Sequence, residues 1–301
     1  MKTLVVITGP TAVGKTELSL KMAKLLSSPV ISADSRQMYR QMSIGTAAPT
    51  EEELAQADHL FVHTLDLNDY YSAAIYEEEA LRLLDSHFLT HDYALMTGGS
   101  MMYIDAVCNG IDDMPTIDNE VRSMMRERLE NEGDEKLLAE LKIIDPAYYQ
   151  IADLKNIKRI VHALEVYYMT GKPFSAFRTG QKKTRPFRIV KIGLNRDRDI
   201  LFDRINRRVD WMMEAGLMEE VRRLYPYRHL NSLNTVGYKE LFNVIDGLWE
   251  LDFAVARIKK NTRVYAKKQL TWMRKDPDIH WIQLDNLSTD EIIREIQQLL
   301  L

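Results

Sequence analysis

The segment GPTAVGKT, residues 9 to 16, constrains the fold of this chain more than any other feature. It follows an apolar run from Leu4 to Thr8 and precedes a helix-forming run from Glu17 to Leu26. It matches the phosphate-loop pattern Gly, four residues, Gly-Lys-Ser/Thr, in which glycines let successive backbone N–H groups point at one anion. The helix N-terminus adds partial positive charge. We therefore predict a strand, a helix and between them a phosphate-binding loop formed by Gly9, Pro10, Thr11, Ala12, Val13, Gly14, Lys15 and Thr16.

Two side chains of this loop carry chemistry. The Lys15 ammonium can bridge phosphate oxygens, and the Thr16 hydroxyl can hold a Mg²⁺ ion. Mg²⁺ is therefore the cofactor that we expect. The loop alone leaves open whether the phosphate is hydrolysed, transferred or released, and whether ATP binds there.

Cysteine content and apolar runs bear on the compartment. The single cysteine, Cys108, allows no intramolecular disulfide and is typical of a reducing compartment. The N-terminal apolar run is short and continues into the loop, so we interpret it as a strand rather than a signal peptide. No stretch approaches the length of a membrane span. We expect a cytoplasmic protein with no membrane partner.

Charge is unevenly distributed along the chain. From Lys155 to Lys275 there are 27 Lys and Arg residues against 12 Asp and Glu, a net charge of +15. The remainder carries 13 against 32, a net charge of −19, which gives −4 overall. So basic a segment in an acidic protein indicates a polyanionic partner larger than one nucleotide. The alternative is a solvated helical surface that is rich in Lys and Arg.

Apolar strands alternate with helical segments in the N-terminal third. Ser72 to Phe88 has the pattern of an amphipathic helix with Ser72 as its N-cap. This alternation predicts an α/β fold, a P-loop NTPase-like parallel sheet flanked by helices. The expected strands are Leu4 to Thr8, Pro29 to Asp34, His59 to Leu65, Tyr93 to Gly99, Phe187 to Asn195 and His280 to Asp285.

The pattern changes at Pro115. Helical segments then dominate, and the last of them ends at Gly171. We interpret residues 115–185 as a mainly helical insertion domain. The phosphate-loop core then consists of residues 1–114 and 186–301.

Polar residues follow the second predicted strand. Ligands of open α/β sheets bind beyond the carboxyl ends of strands, so Asp34 points into the same crevice as the phosphate loop. Ser35 and Gln37 follow it and can form hydrogen bonds. Asp34 could bind a metal, act as a general base or cap the following turn. The density of polar groups favours a functional role.

The strand from Tyr93 to Gly99 lacks the Asp that holds Mg²⁺ in phosphate-loop ATPases and GTPases. Thr97 and a glycine pair stand there instead, and the chain has no Asn-Lys-x-Asp motif. These differences argue against a hydrolase. The glycines suit close approach of a ligand, and Ser100 offers a hydroxyl.

Three arginines, Arg204, Arg207 and Arg208, lie on one predicted helix, where residues four apart share a face. An arginine that reaches the phosphates would stabilise the charge of a leaving group. The alternative is that they are surface arginines paired with Asp203 or Glu214.

The stretch RIKKNTRVYAKKQLTWMRKD predicts a basic amphipathic helix. A basic stripe can bind a nucleic-acid backbone in a salt-dependent way. We expect the aromatic residues of this helix, Tyr265 and Trp272, to face the core rather than to stack on bases. The stripe consists of Lys260, Arg263, Lys267, Thr271 and Arg274.

Together these motifs resemble the tRNA dimethylallyltransferases (tRNA isopentenyltransferases) of the bacterial type. The resemblance runs through almost the whole chain and is carried by GPTAVGKT, ISADSRQMY, IGTAAPT, TGGSMMYI, RIVHALEVYYMTGKP, RINRRVDWMMEAGLMEEV, NTVGYKEL and YAKKQLTWMR. It implies transfer of a dimethylallyl group from dimethylallyl diphosphate to the N6 amine of the adenine at tRNA position 37, directly 3′ of the anticodon. The products would be N6-dimethylallyladenosine and diphosphate.

The resemblance also implies roles for individual residues. Asp34 would take a proton from the adenine amine, while Lys15, Arg208 and Thr16 with Mg²⁺ would neutralise the departing diphosphate. The adenine would leave the anticodon-loop stack, the insertion would contact the anticodon stem-loop, and we expect a monomer that binds one tRNA. The implied tRNA contacts are Asp34, Ser35, Arg36, Gln37, Ser100, Arg122, Lys158, Arg159, Ile160, Val161, His162, Asn234, Thr235, Val236, Gly237, Tyr238 and Lys239.

Three positions depart from the family pattern. Ala48 stands where Lys is usual, Ser100 where Thr is common, and His162 where Arg is usual. They bear on affinity and on the range of tRNAs.

Three alternative functions stay open. An adenylate isopentenyltransferase would act on free nucleotides, against which the basic segment argues. A small-molecule kinase would consume ATP. An RNA-binding module that uses a nucleotide only as a structural ligand would leave Asp34 unexplained.

Overall fold

The computed structural model describes all residues from 1 to 301 and divides them into two compact units. The core unit consists of Met1–Cys108 and Arg185–Leu301, and the insertion unit is Asn109–Thr184. The insertion unit thus begins earlier than the residue 115 predicted from the sequence. The backbone N–H of Lys183 donates to the carbonyl of Asn109 at 2.7 Å, which joins the first and last parts of the insertion unit.

The core unit is built on one six-stranded sheet in which every pair of neighbouring strands is parallel. The strands are β1 (Thr3–Thr8), β2 (Val30–Ala33), β3 (His59–Leu60), β4 (Tyr93–Gly98), β5 (Arg188–Asn195) and β6 (Ile279–Gln283). Their order is β3-β2-β4-β1-β5-β6, which places β1 and the loop that follows it at the centre of the sheet. The predicted parallel sheet is confirmed.

Helices cover both faces of the sheet, as helical crossovers between parallel strands require. The expected helix after Ser72 is confirmed, and the Ser72 side chain accepts a hydrogen bond from the N–H of Ile75. The helices are α1 (Lys15–Leu26), α2 (Glu51–Leu54), α3 (Ala73–His87), α4 (Met101–Asn109), α5 (Asn119–Glu132), α6 (Asp134–Ile144), α7 (Pro146–Ile151), α8 (Ile157–Thr170), α9 (Arg198–Glu214), α10 (Leu217–Leu224), α11 (Tyr238–Ile245), α12 (Leu251–Met273) and α13 (Thr289–Leu300).

The core follows from alternation along β1. Successive side chains of a strand point to opposite faces, so Val5 and Ile7 pack with α1 and α13, while Leu4 and Val6 pack with α3 and α4. A third cluster joins α9, α10, α11 and α12. This packing fixes the carboxyl ends of β1, β2 and β4 at one edge of the sheet.

The third strand is much shorter than the predicted His59 to Leu65. It ends at Leu60 because Phe61 and His63 have φ angles of 64° and 52°, which no extended strand allows. The following backbone instead donates hydrogen bonds from His63 to the carbonyl of Gln37 and from Leu65 to that of Met38. The segment therefore supports the turn after β2.

The insertion unit is helical, with α5 to α8 packed around a core of its own that includes Met125, Leu141 and Leu164. Asp118 caps α5 by accepting a hydrogen bond from the N–H of Val121 at 2.9 Å. Neither unit contains a helix whose length and hydropathy would let it cross a membrane.

Candidate active site

The loop between β1 and α1 has the backbone of an anion-binding loop. Gly14 has a φ of 117°, which favours glycine, and α1 begins directly after it. The first N–H groups of a helix have no acceptor within the helix, so they are available to an anion. The Lys15 ammonium lies back over the loop and donates to the carbonyls of Gly9 and Pro10 at 2.9 and 3.0 Å.

Side chains from distant parts of the chain hold this loop from outside. Arg196 donates to the carbonyl of Val13 at 2.8 Å, and Arg204 donates to that of Ala12 at 2.9 Å. These bonds occupy loop carbonyls that would otherwise repel an anion. The loop is therefore held in its binding conformation by the protein itself.

Arg208, from α9, donates to the hydroxyl of Thr11 and so reaches the phosphate loop, as predicted. Arg207 does not reach it, because its guanidinium pairs with Asp203 on the exposed face of the same helix. The surface alternative is thus correct for Arg207 alone.

Lys15 and Arg208 are the buried cations of the cleft, and the Asp34 carboxylate lies near both. Burial and the nearby Arg208 guanidinium lower the pKa of Lys15 to about 8, against the opposing effect of Asp34. Burial lowers the pKa of Arg208 to about 10. The nearby Asp34 carboxylate acts to raise this pKa, and the Arg204 guanidinium lowers it further. Two desolvated positive charges make this cleft a site for a multiply charged anion.

Asp34 follows β2 and caps the next turn, where its Oδ1 accepts hydrogen bonds from the N–H groups of Arg36 and Gln37 at 2.9 and 3.3 Å. These bonds use Oδ1 only, so Oδ2 is left for the cleft. The side chain lines the cleft together with Lys15 and Thr16. Asp34 therefore caps the turn with one carboxylate oxygen and keeps the other for the cleft.

The cleft beside the loop is open and has a volume of about 600 Å³. Its far wall is formed by Thr46, Ala47 and Ala48 and by α9 up to Trp211. Ala48, where the family pattern has Lys, thus lies in the wall and leaves it without a charge at that point.

The residues present fit a Mg²⁺ ion. The Thr16 hydroxyl and the Asp34 carboxylate line the same small cavity. The structure has no group of three or more His, Cys, Asp or Glu side chains arranged to hold a metal by themselves. Mg²⁺ usually keeps several waters and takes one or two protein ligands besides substrate phosphates, which is what a hydroxyl beside a phosphate loop supports.

Comparison with known proteins gives the family. The model of the family described as IPP transferase matches residues 37–276. The chain belongs to this family. It is similar to tRNA dimethylallyltransferase 1 of Phocaeicola vulgatus, with 59% identity over 283 residues that cover 94% of each chain. It is also 59% identical to tRNA dimethylallyltransferase 1 of Bacteroides thetaiotaomicron, over 281 residues that cover 93% of this chain and 91% of the relative.

Solved structures of the same kind share the fold. The full-length tRNA isopentenylpyrophosphate transferase of Bacillus halodurans superposes with a TM-score of 0.73 and 35% identity, covering 100% of this chain and 96% of that chain. A eukaryotic dimethylallyltransferase acting on tRNA superposes with a TM-score of 0.85 and 25% identity, covering 100% of this chain and 80% of that chain. The resemblance that the motifs predicted is confirmed, and so is the fold.

The residues around Asp34 form a connected group. The Ser100 hydroxyl accepts from the N–H of Ser35 at 2.8 Å and donates to the Ser35 hydroxyl at 3.1 Å. The hydroxyl of Ser100, a position where the family pattern commonly has Thr, therefore bonds to the turn that follows Asp34. Arg36 donates to the carbonyls of Asn231 and Ser232, so its guanidinium ties this turn to the chain before α11.

The predicted contacts from Asn234 to Lys239 divide by exposure. Asn234 and Lys239 are exposed, and Thr235 is partly buried. Tyr238 is fully buried, with its hydroxyl donating to Glu220 at 2.7 Å. Its side chain is buried here, and its contact with tRNA stays a prediction for the backbone alone. The remaining members of the set are Val236, which is partly buried, and Gly237, which is buried.

The predicted contacts in the insertion unit also divide. Lys158 and Arg159 are exposed at the start of α8, whereas Ile160 is fully buried in the core of that unit. The predicted contact of Ile160 could thus involve only its backbone. His162 lies 3.1 Å from the Glu165 carboxylate and packs edge-on against Phe174. Two further members of the set, Arg122 and Val161, are partly buried.

Helix α12 contributes more to the site than the sequence predicted. Tyr265 is 40% exposed rather than core-facing, and burial of its hydroxyl with the nearby Asp34 raises its pKa to about 12. Trp272 is 41% exposed and donates to Asp105 at 2.9 Å. The expectation that both aromatic residues face the core is wrong.

Gln269 was not singled out from the sequence. It is buried, accepts a hydrogen bond from the N–H of Thr11 at 2.9 Å and donates to the carbonyl of Gly99 at 2.8 Å. It thus links the phosphate loop to the glycine pair after β4. The local sequence around Gln269 does not indicate this role, because its two partners lie 258 and 170 residues away along the chain.

Proposed function

We propose that this protein transfers the dimethylallyl group of dimethylallyl diphosphate to the N6 amine of an adenine in tRNA. The observation that carries the proposal is the placement of Asp34 in one cleft with the cations of Lys15 and Arg208. The names of the bacterial relatives support tRNA as the acceptor and the dimethylallyl group as the cargo. The proposed adenine is that at position 37, directly 3′ of the anticodon, and the proposed active form is a cytoplasmic monomer.

In the proposed ground state the phosphate loop binds the diphosphate of the donor. The N–H groups at the start of α1 and the Lys15 ammonium surround its oxygens, and Arg208 approaches from α9. Mg²⁺ held at Thr16 would supply further charge neutralisation for the same oxygens. The cations are buried in advance, so they need no reorganisation when charge develops on the leaving group.

In the proposed reaction the adenine nitrogen attacks the allylic carbon. A C–N bond forms at N6 and the C–O bond to the diphosphate breaks, so the bonding electrons leave with the diphosphate. The proton released from N6 passes to the Asp34 carboxylate. The adenine has to leave the anticodon-loop stack to enter this cleft.

A kinase is the second candidate, because the same loop could bind ATP. Gly98, which ends β4, and Gly99 stand where phosphate-loop hydrolases have a metal-binding Asp. This difference argues against a hydrolase, whereas the fate of ATP distinguishes a kinase. An adenylate isopentenyltransferase would share the donor site, and only the acceptor distinguishes it.

Labelled dimethylallyl diphosphate tests the proposal in Mg²⁺ buffer with unmodified tRNA, with AMP, or without an acceptor. A further reaction contains labelled ATP in place of the donor. We expect label in tRNA, located at the adenine 3′ of the anticodon by nuclease digestion. The Asp34→Asn variant should bind inorganic diphosphate but lose transfer by about a hundredfold or more, the usual effect of removing a general base.

Other distributions of label would reject the proposal. Label in AMP alone would assign the protein to the adenylate enzymes. Consumption of ATP without use of the isoprenoid donor would assign it to the kinases. Transfer that is equally fast with Asp34→Asn would remove Asp34 as the base.

A further inference from the structure

Glu220 is a buried acid that the proposed mechanism does not use. It lies in the first turn of α10 and is 2% exposed. Its carboxylate accepts hydrogen bonds from the N–H groups of Ile44 and Gly45 at 2.8 and 2.9 Å and from the Tyr238 hydroxyl at 2.7 Å. Burial of a carboxylate costs free energy unless hydrogen-bond donors surround it. Two of the donors here are backbone N–H groups, so Glu220 holds the segment that contains Ile44 and Gly45.

That segment is the loop from Ser43 to Ala48, which we call the acceptor loop. Gly45 packs against the ring of Tyr238 with no room for a side chain, since a Cβ atom there would lie 2.7 Å from the ring. Glu220 holds its backbone from one side, and the Tyr238 ring closes the space beside it. The position of the acceptor loop is therefore set by Glu220 and Tyr238 together.

The acceptor loop in turn orients Gln37. The carbonyls of Thr46 and Ala47 accept hydrogen bonds from the Gln37 Nε2 at 3.3 and 2.8 Å. Two carbonyl acceptors fix which end of an amide carries the nitrogen. The amide oxygen of Gln37 is left without a donor, and the side chain lines the cleft beside Asp34.

We propose that Glu220 is a positioning residue that holds the Gln37 amide oxygen, through the acceptor loop, as a hydrogen-bond acceptor for the reacting amine. This inference rests on the proposed function, in which the amine has two hydrogens. Asp34 takes the one that is lost, and Gln37 accepts a hydrogen bond from the other. A nucleobase with a carbonyl oxygen in place of the amine would place that oxygen against two acceptors. Asp34 and Gln37 together therefore select adenine.

The test compares Glu220→Gln with Glu219→Gln in the full chain. Glu219 lies in the same helical turn, and its side chain is 61% exposed, with Arg222 at 3.6 Å. Steady-state transfer to tRNA gives kcat and both KM values, and calorimetry gives the Kd of inorganic diphosphate. Binding of an anticodon stem-loop with adenosine or inosine at the target position gives a selectivity ratio that a loss of general stability would not change.

For Glu220→Gln we expect kcat/KM for tRNA to fall about tenfold to a hundredfold, because reacting groups lose their alignment. The adenosine-to-inosine selectivity should shrink. The Kd of diphosphate and the donor KM should stay within about twofold, since the phosphate loop is held by other side chains. Glu219→Gln should match the unmodified protein.

Equal kinetics and selectivity for the two variants would overturn the proposal, and so would loss of diphosphate binding in step with transfer. Tyr238→Phe provides a second variant if Glu220→Gln does not fold, because it keeps the ring against Gly45 and removes one hydrogen bond. It should change selectivity in the same direction by a smaller factor. If the unmodified protein transfers no label, the proposed function fails, whereas the selectivity ratio still tests the orientation of Gln37.

Discussion

The charged form of Lys15 is less stable in the folded protein than in water. Its pKa is about 8 instead of 10.5, because of burial and of Arg208. Between these two values the unfolded chain binds the proton more tightly than the folded one, so this residue makes the protein more stable as pH rises from 8 to 10.5. Below pH 8 its unfavourable contribution is complete. An anion in the loop favours the charged form and reverses the shift.

We predict that the Lys15 ammonium titrates near pH 8 in the free protein and at higher pH when inorganic diphosphate is bound. The measurement is an NMR titration of the lysine Nζ resonances, with Lys15→Gln to assign the signal. In Arg208→Met the midpoint should rise, because one of the causes of the lowered pKa is removed. A midpoint near 10.5 in the free protein, or one that diphosphate leaves unchanged, would contradict the prediction.

Residue-scale features were predictable where they depend on local spacing. The phosphate loop and Asp34 directly follow apolar strands, so the sequence alone predicts the position of both. Glu220 and Gln269 were missed because their partners lie far away in the chain, at Ile44 and Gly45 in one case and at Thr11 and Gly99 in the other. No periodicity reports contacts of that range.

Among the elements, α12 braces the site through Gln269. Gln269 binds two backbone groups, the N–H of Thr11 and the carbonyl of Gly99. A Cβ atom at Gly99 would lie 2.5 Å from the Gln269 Nε2, so the helix approaches as closely as the glycine allows. The helix thus fixes the loop after β1 against the loop after β4.

We predict that Gln269→Leu lowers the free energy of unfolding by about 2–3 kcal/mol, because two backbone groups lose their partners. It should also raise the KM for the donor, since Thr11 belongs to the phosphate loop. Urea denaturation and steady-state kinetics measure the two effects. The exposed neighbour Lys268→Leu is the control and should change neither. A stable Gln269→Leu protein with an unchanged donor KM would show that α12 does not brace the loop.

Sequence patterns predict which helices and strands exist better than they predict how long each one is or which of its residues face the core. The strand at His59 was predicted too long because its residues are apolar, yet Phe61 and His63 take left-handed backbone angles to follow the turn after β2. Tyr265 was assigned to the core because aromatic residues on an amphipathic helix usually lie there. Tertiary contacts decided both cases, and they are invisible in a pattern of single residues.

At the scale of the whole molecule, positive charge is concentrated in the region from Lys155 to Lys275. This region begins inside the insertion unit and continues through α9 to α12 of the core unit. Lys158 and Arg159, at the start of α8, are exposed. If they contact phosphates of tRNA, each releases counterions on binding.

We predict that the double variant Lys158→Ala with Arg159→Ala binds tRNA more weakly and with less dependence on salt. The slope of log Kd against log salt concentration should fall by about 1 to 2, because two phosphate contacts are lost. Fluorescence anisotropy at several salt concentrations measures it. Lys142→Ala with Lys172→Ala removes the same charge from exposed positions of the same unit. Equal slopes for the two double variants would exclude a specific contact at α8.

The arrangement of β1 between β4 and β5 has a consequence for the protein while it is still being made. When β4 has emerged from the ribosome, β1 can pair on one side only, and β5 begins about 90 residues later. At roughly 5–20 residues per second that delay lasts on the order of five to twenty seconds. During this time the apolar edge with Val5 and Ile7 is open to strands of other nascent chains. The helices of the insertion unit have a core of their own and can fold before β5 is synthesised, while the sheet is still incomplete.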